Sequence, residues 1–145
     1  MKSTKGFTLI ELLVVISIIA LLSSVVLSSL QSARIKGADS AVKSSLKQLY
    51  AQGELYRNDN GGYGSGTAGG TDVANCTSGM FADSRVATIQ ANIVQNAATT
   101  PTLTCSTASN GQNWAMSVVL RNGAAWCIDN TGDFKAATAA SGQCP

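Results

Sequence analysis

Few side chains in this 145-residue chain are equipped for chemistry. Histidine is absent, no nucleophile motif occurs, and eight carboxylates are too few to suggest an acid–base pair. Glu11 stands out because it is the lone charge between Phe7 and Leu30. A charged side chain at a bilayer centre costs roughly 2.5–3.5 kcal/mol on insertion scales, so its presence argues for a function. Cys76, Cys105, Cys127 and Cys144 all lie in the second half of the chain. With no C-x-x-C pair and no histidine, the set argues for two disulfides rather than zinc. Asp129, Asn130 and Asp133 are spaced like the oxygen ligands of a calcium loop. The bidentate glutamate of an EF-hand is missing, and a tight turn uses the same residue types. The Gly-rich run Gly61–Gly70 lacks the following Lys-Ser/Thr and the preceding apolar strand of a phosphate cradle.

The element that carries Glu11 is an apolar stretch from Phe7 to Leu30, and at about 1.5 Å per residue it covers roughly 36 Å as a helix. A hydrocarbon core is about 30 Å thick. A cleaved secretory signal would have a shorter apolar core and a small-residue cleavage site, for which Ser28–Ala33 is a loose match. A plain signal anchor accounts for the length but not for Glu11. Past Ser32 the pattern turns amphipathic. Ile35, Ala38, Val42, Leu46, Leu49, Gly53 and Tyr56 recur at three- and four-residue steps, with Lys36, Lys43, Lys47 and Arg57 largely off that stripe. One helix is therefore expected from Phe7 to near Arg57, ending at Asn58-Asp59-Asn60-Gly61-Gly62.

Lys5-Gly6-Phe7-Thr8-Leu9-Ile10-Glu11 followed by a long apolar helix resembles the processing signal of bacterial type IV pilin and pseudopilin precursors. Leu55-Tyr56-Arg57-Asn58-Asp59-Asn60-Gly61-Gly62-Tyr63 is similar to a second pilin passage, with Gly64 in place of the usual proline. Ser28-Ser29 also stands where many relatives carry a proline. The resemblance implies cleavage between Gly6 and Phe7, N-methylation of Phe7, and Glu11 as the residue that sets filament register. Cleavage would leave a cationic amine among apolar neighbours, where an unpaired charge is prohibitive, and Glu11 of an adjacent subunit would pair with it. The alternative is that Glu11 only caps its own helix or its own amine.

Residues 60–145 are expected to form a small polar head needing staples. A short helix is predicted within Met80–Asn96, capped by Asp83 or Ser84, and a strand over Thr102–Cys105. Trp114–Leu120 and Ala124–Ile128 flank Asn122-Gly123, a strong hairpin signal, and a third strand follows through Phe134–Ala137. Trp114 and Trp126 are expected to fill the core between helix and sheet. The fold class is thus α+β and pilin-like: a long N-terminal helix, apolar then amphipathic, on a small antiparallel sheet. The divisions expected are a leader over 1–6, an apolar membrane and filament-core helix over 7–31, its amphipathic continuation over 32–59, and the head. Four cysteines allow three pairings. Cys76–Cys105 is favoured to tie loop and helix to the sheet, and Cys127–Cys144 to close a C-terminal loop of the kind pilins carry.

The formal charge of +2 falls to zero once Lys2 and Lys5 are removed with the leader, which gives no basis for a nucleic-acid site. The charge distribution is ambiguous for topology, because Arg34, Lys36, Lys43 and Lys47 follow the apolar helix closely. The cysteines place the C-terminal half in an oxidising, extracytoplasmic compartment. The reading is a non-enzymatic subunit of a surface filament, without cofactor. Its expected partners are copies of itself, a prepilin peptidase and methylase, inner-membrane assembly machinery, and lipid before assembly. A pseudopilin or minor pilin, or an uncleaved signal-anchored binding module, are the alternatives.

Overall fold

A computed structural model describes residues 6–64, 73–74, 76–98, 100–108 and 110–145. Most of the expected leader and residues 65–70 of the Gly-rich run lie outside the described residues. The chain divides into two compact units, Met1–Ile35 and Lys36–Pro145. Helix α1, Leu9–Asn60, contributes to both.

In the first unit, α1 is exposed on every side, and by length and composition it is able to cross a membrane. Two of its serines bond back to the helix. Ser17 Oγ donates to the Leu13 carbonyl and Ser24 Oγ to the Leu21 carbonyl, each at 2.8 Å. Back-bonding of this kind lets a polar side chain sit in an apolar helix.

In the second unit, α1 buries Val42, Leu46, Leu49 and Gly53, the centre of the expected stripe, together with Asp39. The helix stops where Gly61 takes a φ of 75° and its N–H bonds to the Arg57 carbonyl, a left-handed cap that favours glycine. Helix α2, Ser84–Asn96, begins at Asp83, whose side chain accepts the Arg85 N–H. Met80 and Phe81, ahead of this cap, form a separate 3-10 turn over Gly79–Ala82.

Five antiparallel strands, β1 (Val73–Ala74), β2 (Leu103–Thr107), β3 (Trp114–Val119), β4 (Ala125–Asp129) and β5 (Phe134–Lys135), pair in chain order. Between β3 and β4, the Gly123 N–H returns to the Leu120 carbonyl and Gly123 has a φ of 86°. Asn122 keeps a negative φ, so the connection is a three-residue loop with glycine in the left-handed position rather than a two-residue turn.

Register sorts the sheet into two faces. Cys105, Met116, Ile128 and Phe134 are successive cross-strand partners, as are Leu103, Val118 and Trp126. This face packs with Val42, Leu46 and Leu49 of α1 and Val86, Ile89 and Ile93 of α2 in the main core. Trp114 is wholly buried there, edge-on to Tyr63 and Phe81. Trp126 differs from expectation, since it is only half-buried and lies at the core margin under the Lys43 ammonium, 3.5 Å from its ring centroid. Lys47 sits 5.0 Å from the Phe134 ring, so lysines one turn apart cover an aromatic pair. The opposite face carries Ala115 and Cys127, which cluster with Ala139 and Cys144 of the C-terminal segment.

Candidate functional site

Thr8 immediately precedes the first helical residue and Glu11 is the third residue of the helix. The Glu11 N–H donates to Thr8 Oγ1 at 3.3 Å, and Glu11 Oε2 accepts the Thr8 N–H at 2.9 Å. This reciprocal arrangement is a capping box, and it satisfies two donors that the start of a helix otherwise leaves open. Thr8 Oγ1 also donates to Oε2 at 2.7 Å. All the bonds received by this carboxylate from the described residues go to Oε2, and none reaches Oε1. The signal Thr-x-x-Glu ahead of an apolar run was present in the sequence. Thr8 is the residue that the sequence reading missed.

Phe7 is 84% exposed beside this cap. Phe7, Ile10, Val14 and Val15 form an apolar surface around Glu11. A Cβ added to Gly6 would meet nothing within 4 Å, so no packing among the described residues requires glycine there.

In the second unit, the remaining polar groups act as braces. Asp129 is buried and its carboxylate takes four donors: the Thr131 N–H, the Thr131 hydroxyl and the Asp133 N–H on Oδ1, and the Cys144 N–H on Oδ2. Burial pushes this carboxyl up, but the hydrogen bonds together outweigh it and hold it below the usual carboxylate range. Asn130 Nδ2 bonds Asn113 Oδ1, and Asp133 pairs with Lys135 at 3.2 Å. Among the described residues no group of three or more acidic, histidine or cysteine side chains converges to hold a metal ion. Asp129 is committed to main-chain and hydroxyl donors within this turn and the C-terminal segment.

The structure joins Cys76 to Cys105, with a Cα–Cα distance of 5.3 Å, and Cys127 to Cys144, at 5.8 Å. The first bond lies in the main core and the second on the opposite sheet face. Two other braces had no sequence signal. Asp39 Oδ1 accepts the Arg121 N–H at 2.8 Å, tying α1 to the β3–β4 loop, while Arg121 Nε donates to the Asn96 carbonyl at the end of α2. The Tyr63 hydroxyl donates to Glu54 at 2.5 Å, and burial together with this carboxylate pushes it up to about 12.

Residues 1–27 match the family described as the prokaryotic N-terminal methylation motif. Those residues hold Gly6, Phe7 and the Thr8–Glu11 capping box. The chain is also similar to the type IV wide pilus major component PilA4 of Thermus thermophilus, at 44% identity over 68 residues, covering 47% of this chain and 52% of the relative. The chain thus spans about half the length of the curated relative it matches. No solved structure matches this chain.

Proposed function

We propose that this chain is a structural subunit of a type IV pilus-like filament. A peptidase cuts between Gly6 and Phe7, the new Phe7 amine is methylated, and the subunit leaves the membrane to assemble through its N-terminal helices. Before assembly it crosses the inner membrane once, with the head outside, and afterwards it sits in a surface filament. The observation that carries this reading is the capped, exposed apolar N-terminal half of α1, whose one carboxylate keeps Oε1 unengaged by the described residues.

Glu11 then has two jobs. Oε2 holds the helix start through Thr8, and Oε1 meets the Phe7 amine of the next copy. In an apolar interior neither charge is tolerated alone, and the pair fixes how far one helix slides past another. The open space around Gly6 supports reading this glycine as a peptidase recognition residue rather than a folding requirement. The head braces keep the exported domain folded outside the cell. In this reading the chain is a non-enzymatic subunit. Copies of the chain, the peptidase and methylase, and inner-membrane assembly machinery are its partners in this reading.

The test separates cleavage from assembly. In cells making Glu11→Gln, the leader is still removed, as read by intact mass, while sheared surface filament drops by about tenfold or more, the loss expected when a buried charge is left without its partner. Filament at the level of the unaltered chain would overturn the pairing.

A further inference from the structure

The segment after β5 lies on the sheet face opposite the main core, and it is held there by acceptors set on three neighbouring strands. The Gly142 N–H donates to Ser106 Oγ of β2 at 2.8 Å, the Ala139 N–H to Ser117 Oγ of β3 at 2.9 Å, and the Cys144 N–H to Asp129 Oδ2 of β4 at 3.0 Å. All three acceptors are buried. Ser106 and Asp129 are both cross-strand partners of Ala115, and Ser117 is the partner of Cys127, so the acceptors and the Cys127 sulfur share one face. The segment reaches them through a tight turn, with a φ of 51° at Ser141 and 77° at Gly142. A Cβ on Gly142 would stand 2.8 Å from the Ala108 nitrogen, so only glycine passes at this point. Cys105 faces the other side of the sheet, in register with Met116 and Ile128.

We infer that Ser106, Ser117 and Asp129 form a template that seats residues 139–144 before oxidation and thereby directs Cys144 to Cys127. Pairing is then decided by two features. Sheet parity keeps Cys105 away from Cys127, because side chains of opposite parity point to opposite faces. The Asp129 carboxylate then places the Cys144 main chain beside β4, raising the effective concentration of its thiol at Cys127. Closure consumes a disulfide oxidant. With oxidised glutathione, the Cys144 thiolate attacks one of its sulfurs and expels one reduced glutathione. The Cys127 thiolate then attacks the Cys144 sulfur of the mixed disulfide, expelling the second. Two protein thiols are oxidised to one bridge, and one oxidised glutathione yields two reduced ones. Asp129 takes no part in the exchange itself and is a positioning residue.

The test is oxidative refolding of the full chain from the reduced, denatured state in detergent with a glutathione redox buffer, quenched over time and mapped as peptides without reduction. In Asp129→Ala, closure of Cys127–Cys144 slows by about tenfold, the change expected on losing a hydrogen bond to a charged acceptor, while Cys76–Cys105 forms at its usual rate. A generally unfolded head would delay both bridges, so selectivity is the diagnostic result. If Asp129→Ala forms neither bridge, Ser117→Ala decides, because it leaves the carboxylate in place, and selective slowing of Cys127–Cys144 there upholds the template. Closure of both bridges at the unaltered rate in Asp129→Ala, or loss of both in both variants, overturns it.

Discussion

Asp129 concentrates more hydrogen bonds than any other side chain among the described residues, and its contribution is pH-dependent. Its carboxyl is held below the usual range in the folded chain. The stabilisation is therefore present above the unfolded pKa, near 3.9, and is lost as the pH falls through the lower folded value. Denaturant midpoints of the oxidised head should decline from about pH 4 downward in the native chain, and that decline should flatten in Asp129→Asn. At neutral pH the same variant should lose about 1.5–3 kcal/mol, as expected for hydrogen bonds to a buried charge. A midpoint and pH profile matching the native chain would remove Asp129 as a brace. At Glu11 the split between Oε2 and Oε1 makes helix capping compatible with subunit pairing.

Helix α1 owes its behaviour in the second unit to two glycines in opposite settings. A Cβ on Gly53 would come 3.1 Å from the Trp114 indole, which is wholly buried and wedged by Tyr63 and Phe81. Gly37 is exposed, and a Cβ there meets nothing within 4 Å. Alanine gains about 1 kcal/mol over glycine in a helix, whereas overpacking a core costs about 1–3 kcal/mol. Gly37→Ala should raise the thermal midpoint and Gly53→Ala should lower it, as read by circular dichroism. The same sign for both would show that Trp114 yields.

These elements also show why the sequence was readable in some places and opaque in others. The apolar run, the Val42–Gly53 stripe and the Asn122-Gly123 loop advertise themselves because periodicity and turn residues act over a few positions. Thr8-x-x-Glu11 was equally local and could have been read. Asp39, Ser106 and Ser117 could not, since each accepts a main-chain N–H from a residue 82, 36 or 22 positions away. Nothing near a serine in sequence tells which distant N–H the fold will bring to it. Trp126 has the strand parity of the core face, but parity alone does not tell that it lies at the margin, under Lys43.

Over the whole molecule, the two units present different surfaces. From Leu9 to Leu30 the first unit is apolar apart from its capped start and a few serines, of which Ser17 and Ser24 bond back to the helix, a surface suited to lipid or a bundle of its own copies. The second is a small domain whose bridges and buried polar braces add to a modest core. Reducing both bridges should lower head stability by roughly 2–4 kcal/mol for each, measured by denaturation with and without reductant. The central claim, a processed and assembled filament subunit, is tested most directly by intact mass and N-terminal analysis of protein sheared from the surface of producing cells. The prediction is a chain in the sheared fraction that begins at a methylated Phe7. An intact Met1 leader confined to the membrane fraction would contradict it and leave Glu11 without its amine.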